Sequence, residues 1–294
     1  MKKRTVMNEL LVDTKKIAIL IPCYNEALTI EKVVKDFKKE LPSADIYVYD
    51  NNSVDDTAVI AEKAGAIVRP EYIQGKGAAV RSMFRDIDAD IYVMVDGDDT
   101  YPANEVMNLI EPVKQGRADM VIGDRLSSTY YTENKRPFHN FGNDLVRWLV
   151  NVIYGSNIRD VMTGYRAFSK RFVKSIPVIS NGFQIETEMT IFALENNLKL
   201  VNVPVTYRDR PEGSVSKLNT VKDGIKVLCT IADMTRHNQP LMFYTLVSIF
   251  MLIISLLTRS LIFTLVAWSS LAIGLICDSL NRKAKENREI NITN

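Results

Sequence analysis

Two carboxylates one residue apart, Asp96 and Asp98, close an apolar run in Ile91-Tyr92-Val93-Met94-Val95-Asp96-Gly97-Asp98-Asp99. Such a pair can share a hard divalent cation, Mg2+ or Mn2+, whose remaining positions go to water and phosphate oxygens. A metal-bound diphosphate is the natural guest, and a solvated acidic turn is the alternative. A second D-x-D string, Asp88-Ala89-Asp90, precedes the same apolar run and reads as a solvated helix end, so position separates the two. Asp50 ends another apolar run, Ile46-Tyr47-Val48-Tyr49. There it can accept hydrogen bonds from a base or ribose or, with Asn52 or Ser53, cap a helix. Gly75-Lys76-Gly77-Ala78 sets permissive backbone and one ammonium before a helix, which suits an anion or a plain turn. The G-x-x-x-x-G-K-[ST] spacing of a Walker loop is missing. Arg125, Arg166, Arg208, Arg210 and Lys217 all follow the acidic pair; they suit phosphate charge or, alternatively, an anionic lipid surface.

These residues need a scaffold that brings them to one edge. Residues 17–21 form a short continuous apolar run ended by Pro22, the pattern of a strand buried on both faces. Within 26–40, Ile30, Val33, Val34 and Phe37 recur at helical spacing before Pro42. The alternation continues with strands at 46–49, 66–68, 91–95 and 120–122, and helices at 55–64 and 77–87. It predicts an α/β fold, a Rossmann-like mainly parallel sheet with flanking helices. Sheets of this kind bind ligands at the carboxyl ends of their strands, where Tyr24-Asn25-Glu26, Asp50-Asn51-Asn52, Asp96-Gly97-Asp98-Asp99 and Gly123-Asp124-Arg125 fall.

The 294 residues include 37 Lys and Arg against 35 Asp and Glu, a formal net charge of +2. That is too balanced for a protein that coats nucleic acid. The three cysteines, Cys23, Cys229 and Cys277, are scattered, and the two histidines, His139 and His237, are far apart. Neither a disulfide framework nor a thiolate or imidazole metal site is implied, and a reducing compartment fits best. From Pro240 to Cys277 the only charge is Arg259. Residues 241–257 and 261–277 are each long enough, at the short end, to cross a bilayer, with Thr258-Arg259-Ser260 as the turn. A buried hairpin, or one tilted span with an interfacial helix, is the alternative. Lys2, Lys3 and Arg4 before the catalytic region, and Arg282, Lys283, Lys285 and Arg288 after the hairpin, place both ends in the cytoplasm by the positive-inside rule. Residues 1–16 lack the apolar core of a signal peptide. The expected organisation is an N-terminal tail at 1–15, a catalytic domain at 16–235, a two-helix hairpin at 240–278 and a cytoplasmic tail at 279–294.

Pro22-Cys23-Tyr24-Asn25-Glu26, Asp50-Asn51-Asn52-Ser53-Val54-Asp55-Asp56-Thr57, Gly75-Lys76-Gly77 and Asp96-Gly97-Asp98, in that order, resemble the signature of family 2 glycosyltransferases with the GT-A fold. Further on, Gly123-Asp124-Arg125, Asp160 with Thr163-Gly164-Tyr165-Arg166, Gly182-Phe183 with Glu186, and Gly213-Ser214-Val215-Ser216-Lys217-Leu218 resemble the polyprenyl-phosphate branch. That branch includes dolichyl-phosphate mannosyltransferase and bacterial undecaprenyl-phosphate glucosyl- and N-acetylglucosaminyltransferases. The resemblance spans about residues 16–235. It implies that Pro22, Tyr24, Asn25, Glu26, Asp50, Lys76 and Asp96 hold a nucleotide sugar, a UDP-sugar in preference to GDP-mannose. Asp96 and Asp98 would hold Mg2+ or Mn2+, while Arg125, Arg166, Arg208, Arg210 and Lys217 line the acceptor phosphate. Asp98, Arg125, Arg166 and Lys217 are then the groups closest to catalysis. Two positions depart from relatives: Asn51 stands where some carry a second Asp, and Thr100 where dolichyl-phosphate mannosyltransferases carry Gln. The resemblance therefore leaves base and sugar open.

The chemistry of the acceptor points the same way. A sugar hydroxyl must lose a proton as it attacks, which calls for a tuned general base. A polyprenyl phosphate, with a second phosphate pKa near ~6, is already a nucleophile at neutral pH, and the remaining obstacle is the approach of two anions. Metal and guanidinium groups remove it. The expected reaction is metal-dependent, inverting transfer of one hexose, glucose or N-acetylglucosamine favoured, to undecaprenyl phosphate at the cytoplasmic membrane face. Homo-oligomerisation is left open. Residues 138–154, with Phe138, Phe141, Leu145, Trp148, Leu149 and Val152 at helical spacing, and 219–235, with Val221, Ile225, Leu228 and Ile231, suit helices in the membrane interface or ordinary core helices. A processive synthase would need a Q-x-x-R-W element, whose nearest string is Asp144-Leu145-Val146-Arg147-Trp148, and more than two spans. A noncatalytic nucleotide-binding scaffold is the remaining alternative. An NAD-dependent Rossmann enzyme fails, because Pro22-Cys23-Tyr24-Asn25-Glu26 stands where G-x-G-x-x-G should follow the first strand.

Overall fold

Apolar runs separated by amphipathic ones fold as the alternation predicts. The computed structural model describes residues 15–128, 130 and 139–293 and divides into two units, Met1–Gly224 and Ile225–Asn294. Residues 1–14 and Phe138 lie outside the described residues.

The first unit is built on a seven-stranded sheet. Its elements are β1 (Ile17–Cys23), α1 (Ile30–Glu40), β2 (Asp45–Asp50), α2 (Thr57–Lys63), β3 (Ile67–Pro70), α3 (Lys76–Asp86), β4 (Ile91–Met94), α4 (Val106–Lys114), β5 (Met120–Asp124), α5 (His139–Tyr154), β6 (Arg166–Ser169), α6 (Lys170–Ser175), α7 (Ile185–Glu195) and β7 (Leu200–Pro204). The strand order is β3-β2-β1-β4-β6-β5-β7. Strands β1 to β4 run parallel, β6 runs antiparallel to both β4 and β5, and β7 is parallel to β5. Register sets what meets at the rim. β1 pairs with β2 up to Cys23↔Asp50 but with β4 only up to Leu20↔Met94. Past Leu20 only β2 continues alongside, so Pro22, which cannot donate a ladder bond, stays in the strand.

One face of the sheet packs on α1, whose Ile30, Val33, Val34 and Phe37 are buried against Ile19, Ile21, Val48 and Val93, with Leu109 and Ile110 of α4 in the same core. Each fully buried side chain of this size contributes about 1.5–3 kcal/mol. α1 starts at Ile30, four residues later than the sequence pattern suggests. Asn25 takes a left-handed φ of 54° and residues 26–29 form a turn, which turns the polar segment over the strand ends. Sequence reading did not anticipate β6, α6, α7 and β7. α7 is buried on every side, including Glu186, Thr187, Glu188 and Thr190, so it has no apolar stripe to read.

The helix predicted at 138–154 is α5. It buries Val146 and Val150 and leaves Phe141, Trp148 and Val152 exposed, so its inner edge is core and its outer edge is apolar surface. Helix α8 (Thr220–Asn238) continues from the first unit into the second, with Val227 and Ile231 buried and Val221, Ile225 and Leu228 exposed.

The second unit holds α9 (Pro240–Thr258) and α10 (Leu261–Thr293). Pro240–Thr258 and Leu261–Lys283 are long and apolar enough to cross a membrane, with mean hydropathy 2.3 and 1.9. Arg259, left-handed with a φ of 52°, makes the turn between them. The Ser255 and Thr264 hydroxyls lie 2.7 Å apart across the hairpin, and a methyl at Gly274 would come within 2.8 Å of Tyr244 Cβ. Outward residues such as Leu256, Leu257, Leu261, Ile262 and Trp268 are exposed, as suits lipid contact. Residues 279–293, read from the sequence as a separate tail, continue α10.

Candidate active site

The polar segments at the strand ends interlock before any ligand is considered. Asn51 N–H donates to Cys23 O at 2.8 Å and Asn25 N–H to the Ser53 hydroxyl at 2.9 Å. Glu26 N–H donates to the Thr57 hydroxyl at 2.8 Å, and Val54 N–H to Asn25 Oδ1 at 2.8 Å. Asn25 and Thr57 therefore build the rim. Tyr24 and Pro22 are half-buried at the end of β1. Asp50 accepts from Ser53 N–H through Oδ2 at 3.3 Å, whereas its buried Oδ1 has no protein partner. A buried carboxylate oxygen without a donor is costly, and a base or ribose donor would satisfy it.

At the end of β4 the acidic pair meets cations. Lys76 Nζ sits in close contact with Asp96 Oδ1 and at 2.6 Å from Glu186 Oε1. Burial alone would lower the Lys76 ammonium pKa, but the two carboxylates overcome it and raise it. Asp98 is 4% exposed. Its Oδ1 accepts from the Thr100 hydroxyl at 2.6 Å and its Oδ2 contacts Arg210 Nη2 closely. Burial, and then the charge of Asp96, hold the Asp98 carboxyl above its usual range, against the pull of Arg210. Glu26 is raised by burial and opposed by Lys217, whose ammonium lies 2.7 Å from Glu26 Oε1 and 2.7 Å from Asn25 O. Asp96, Asp98, Glu26, Lys76, Arg210 and Lys217 thus converge.

The Asp96 carboxylate rests on bare backbone. A methyl at Gly164 would come within 2.7 Å of Asp96 Cγ and 2.8 Å of Oδ1, with Oδ2 nearer still. Thr29 hydroxyl donates to Gly97 O at 2.6 Å and fixes the turn between the two aspartates.

The glycines around Lys76 serve a purpose different from the anion contact read in the sequence. A methyl at Gly75 would come within 2.9 Å of Asn181 C, one at Gly77 within 2.8 Å of Ser180 C, and their carbonyl oxygens are closer. Ala78 N–H donates to Asn181 O at 3.2 Å. Protein carbonyls cap this helix start, and Lys76 alone reaches the site.

The remaining basic residues separate. Arg125 is buried, donates to Asp160 Oδ2 at 2.8 Å and to Met162 O at 3.0 Å, and lies over the Tyr130 ring at 4.6 Å. Arg208 is exposed, with its backbone N–H on Thr100 O at 2.9 Å. Arg166 departs from the phosphate-lining role: it has no exposed surface. It donates to Thr163 O at 3.0 Å, Val161 O at 2.6 Å and the Thr190 hydroxyl at 2.9 Å. Burial lowers it to about 10. Its donors are spent on the 160–165 loop and on Thr190 of α7, so it braces Gly164 against Asp96 and does not meet a ligand.

Among the described residues no group of three or more His, Cys, Asp and Glu side chains is placed to hold a metal ion. Asp96 and Asp98 nevertheless fit a divalent cation that draws its other ligands from phosphate and water. Each carboxylate is already paired with a basic side chain, Asp96 with Lys76 and Asp98 with Arg210, so a cation bound there would take the place those side chains now hold.

Residues 18–176 match the family described as Glycosyl transferase family 2. The chain is a family 2 glycosyltransferase. This glycosyltransferase is 36% identical over 229 residues to Glycosyltransferase AglJ of Haloferax volcanii, covering 78% of this chain and 75% of that one. It is 29% identical over 194 residues to the Dolichyl-phosphate hexose transferase of the same organism, covering 66% and 83%. Its fold is that of glucosyl-3-phosphoglycerate synthase from Mycobacterium tuberculosis, solved with Mn2+, UDP and glucosyl-3-phosphoglycerate. The TM-score is 0.60 at 20% identity, over 75% of this chain and 80% of that one.

Sequence reasoning assigned no role to Glu186, Gly164 or Asn51. Glu186 and Gly164 stood within the resembling motifs, but their link to Lys76 and Asp96 depends on β6 and α7.

Proposed function

We propose that this glycosyltransferase moves a single hexose from a nucleotide sugar to the phosphate of a polyprenyl lipid at a membrane surface. The observation that carries the reading is the convergence of Asp96 and Asp98 with three cations, Lys76, Arg210 and Lys217, around carboxylates that are all ion-paired. Such a site suits an acceptor that arrives already anionic. Kinship with a dolichyl-phosphate hexose transferase supports the acceptor class, and the apolar helices α9 and α10 support its membrane location.

In this reading Asp50 Oδ1 binds the base or ribose, and Asp96 and Asp98 hold Mg2+ or Mn2+. The ion, when bound, screens the diphosphate and stabilises it as leaving group. Arg210 and Lys217, released from Asp98 and Glu26, position the acceptor phosphate and offset its charge. A phosphate oxygen attacks the anomeric carbon from the face opposite the diphosphate. The new carbon–oxygen bond forms as the bond to the nucleoside diphosphate breaks, and the leaving group takes the electron pair with no proton transferred. Anomeric configuration inverts. A UDP-sugar carrying glucose or N-acetylglucosamine, undecaprenyl phosphate as acceptor, and a catalytic unit facing the cytoplasm complete the proposal. The processive alternative is disfavoured by Arg147, which pairs with Asp144 at 2.9 Å on the surface of α5.

Membranes containing the protein, supplied with Mg2+, a polyprenyl phosphate and labelled nucleotide sugars, test this. Label from one donor should enter an organic-soluble, mild-acid-labile product and vanish in Asp98→Ala. Lipid label that persists in Asp98→Ala, or none from any donor with folded protein, would overturn the reading.

A further inference from the structure

Asn51 is buried, and every hydrogen-bonding position of its amide is used. Nδ2 donates to Glu71 O at 3.0 Å and to Ile73 O at 2.7 Å. Oδ1 accepts from Gly75 N–H at 2.6 Å and from Gln74 Nε2 at 3.2 Å. All four partners belong to one segment, residues 71–75, which ends in Gly75 at a φ of 133° and delivers Lys76. Gly75, at the end of the segment, lies against the Asn181 carbonyl and Gly77 against that of Ser180, and the loop that carries both is held by Glu188, whose carboxylate accepts from Ile179 and Ser180 N–H at 2.7 and 2.8 Å. Lys76 therefore starts from a clamped backbone, and its flexible stem is directed to Asp96 and Glu186 rather than to water.

We infer that Asn51 is the positioning residue for Lys76. Its amide, rather than a carboxylate, is required because two backbone carbonyls face Nδ2. An aspartate would set an oxygen against each of them and lose both donors. The departure from relatives with Asp at this position thus bears on the placement of an ammonium and not on base recognition, since the amide is consumed by the 71–75 segment. The inference gives Asn51 a part in donor binding only in so far as the proposed transferase reading places the diphosphate beside Lys76; the clamp itself is independent of it.

The clamp is tested on the full chain without substrate, by acylation of lysines with an N-hydroxysuccinimide ester and peptide mass spectrometry. Lys76 should be protected in the wild type. Its labelling should accelerate by roughly tenfold or more in Asn51→Asp, in line with the loss of buried partners, while exposed lysines keep their rates. Asn51→Ala serves as the variant without added charge. There, faster hydrogen exchange at the Gly75 amide is expected beside a melt that stays cooperative at a lower Tm, since the buried partners of the amide are left unsatisfied. Unchanged Lys76 labelling and Gly75 exchange in folded Asn51→Ala would overturn the clamp. In transfer assays Asn51→Ala and Lys76→Ala should raise donor KM by similar factors with smaller effects on kcat, and the double variant should add nothing to the worse single one. Additive losses would make Asn51 merely structural. Absence of transfer in the wild type would count against the functional reading alone, because labelling and exchange need no reaction.

Discussion

Replacing Gly164 by alanine should separate catalysis from stability. The added methyl would lie 2.7 Å from Asp96 Cγ and 2.8 Å from Oδ1, whereas carbon contacts are comfortable only at about 3.5–4.0 Å. The carboxylate must therefore retreat by about 1 Å. It can do so because the Asp96 side chain is 26% exposed toward the pocket, and Gly164 has no left-handed φ that alanine would strain. A misplacement of about 1 Å at a reacting centre costs about a hundredfold in rate, equivalent to about 2.7 kcal/mol of transition-state stabilisation. Folding should change little, since loss of unfolded-chain freedom returns about 0.4–1 kcal/mol. The assay is kcat/KM for lipid labelling, alongside Mn2+ binding by electron paramagnetic resonance and thermal melting. A kcat/KM within about threefold of wild type, with unchanged Mn2+ affinity, would refute the claim that Gly164 seats Asp96.

Gly77→Ala should act in the opposite way, on stability. Helix propensity favours alanine by about 1 kcal/mol, but the methyl meets the Ser180 carbonyl. Overpacking of about 1–3 kcal/mol and the strained Ala78–Asn181 bond, about 1 kcal/mol, should prevail. A net loss of about 1–3 kcal/mol lowers Tm by about 2–12 °C; a raised Tm would show that the 178–182 loop yields freely. For pH, burial holds the Asp98 carboxyl above its usual range, and a metal needs the carboxylate. Mn2+ affinity should therefore begin to fall on acidification above the ~3.9 of free aspartate. The contribution of this group to metal-free stability has the opposite sign, being complete below ~3.9 and lost as pH rises through the raised value. A Kd that holds constant down to that unperturbed value would contradict the assignment.

Strands β1, β2, β4 and β5 could be read because runs such as Ala18-Ile19-Leu20-Ile21 are buried on both faces, and strand-end aspartates follow from parallel topology. The helix α7 could not, since burial of Glu186 and Glu188 removes the periodicity that marks a helix. Arg166 was misjudged for a related reason. Sequence reveals a guanidinium but not the carbonyls of Val161 and Thr163 that satisfy it in the interior. Gly75 and Gly77 announce close approach without naming the visitor, which proves to be the backbone of Ser180 and Asn181.

The antiparallel course of β6 gives the two edges of the sheet different freedoms. Because β6 runs against β4 and β5, its beginning, and the 160–165 loop before it, reach the rim where the parallel strands end. The opposite rim receives turns such as that at Gly116, where an added methyl would meet nothing within 4 Å. Fusions, epitopes or fluorophores inserted there should leave substrate chemistry intact. The reactive rim, with Asn25, Asn52 and Asp99 all held left-handed, should tolerate almost no change of length.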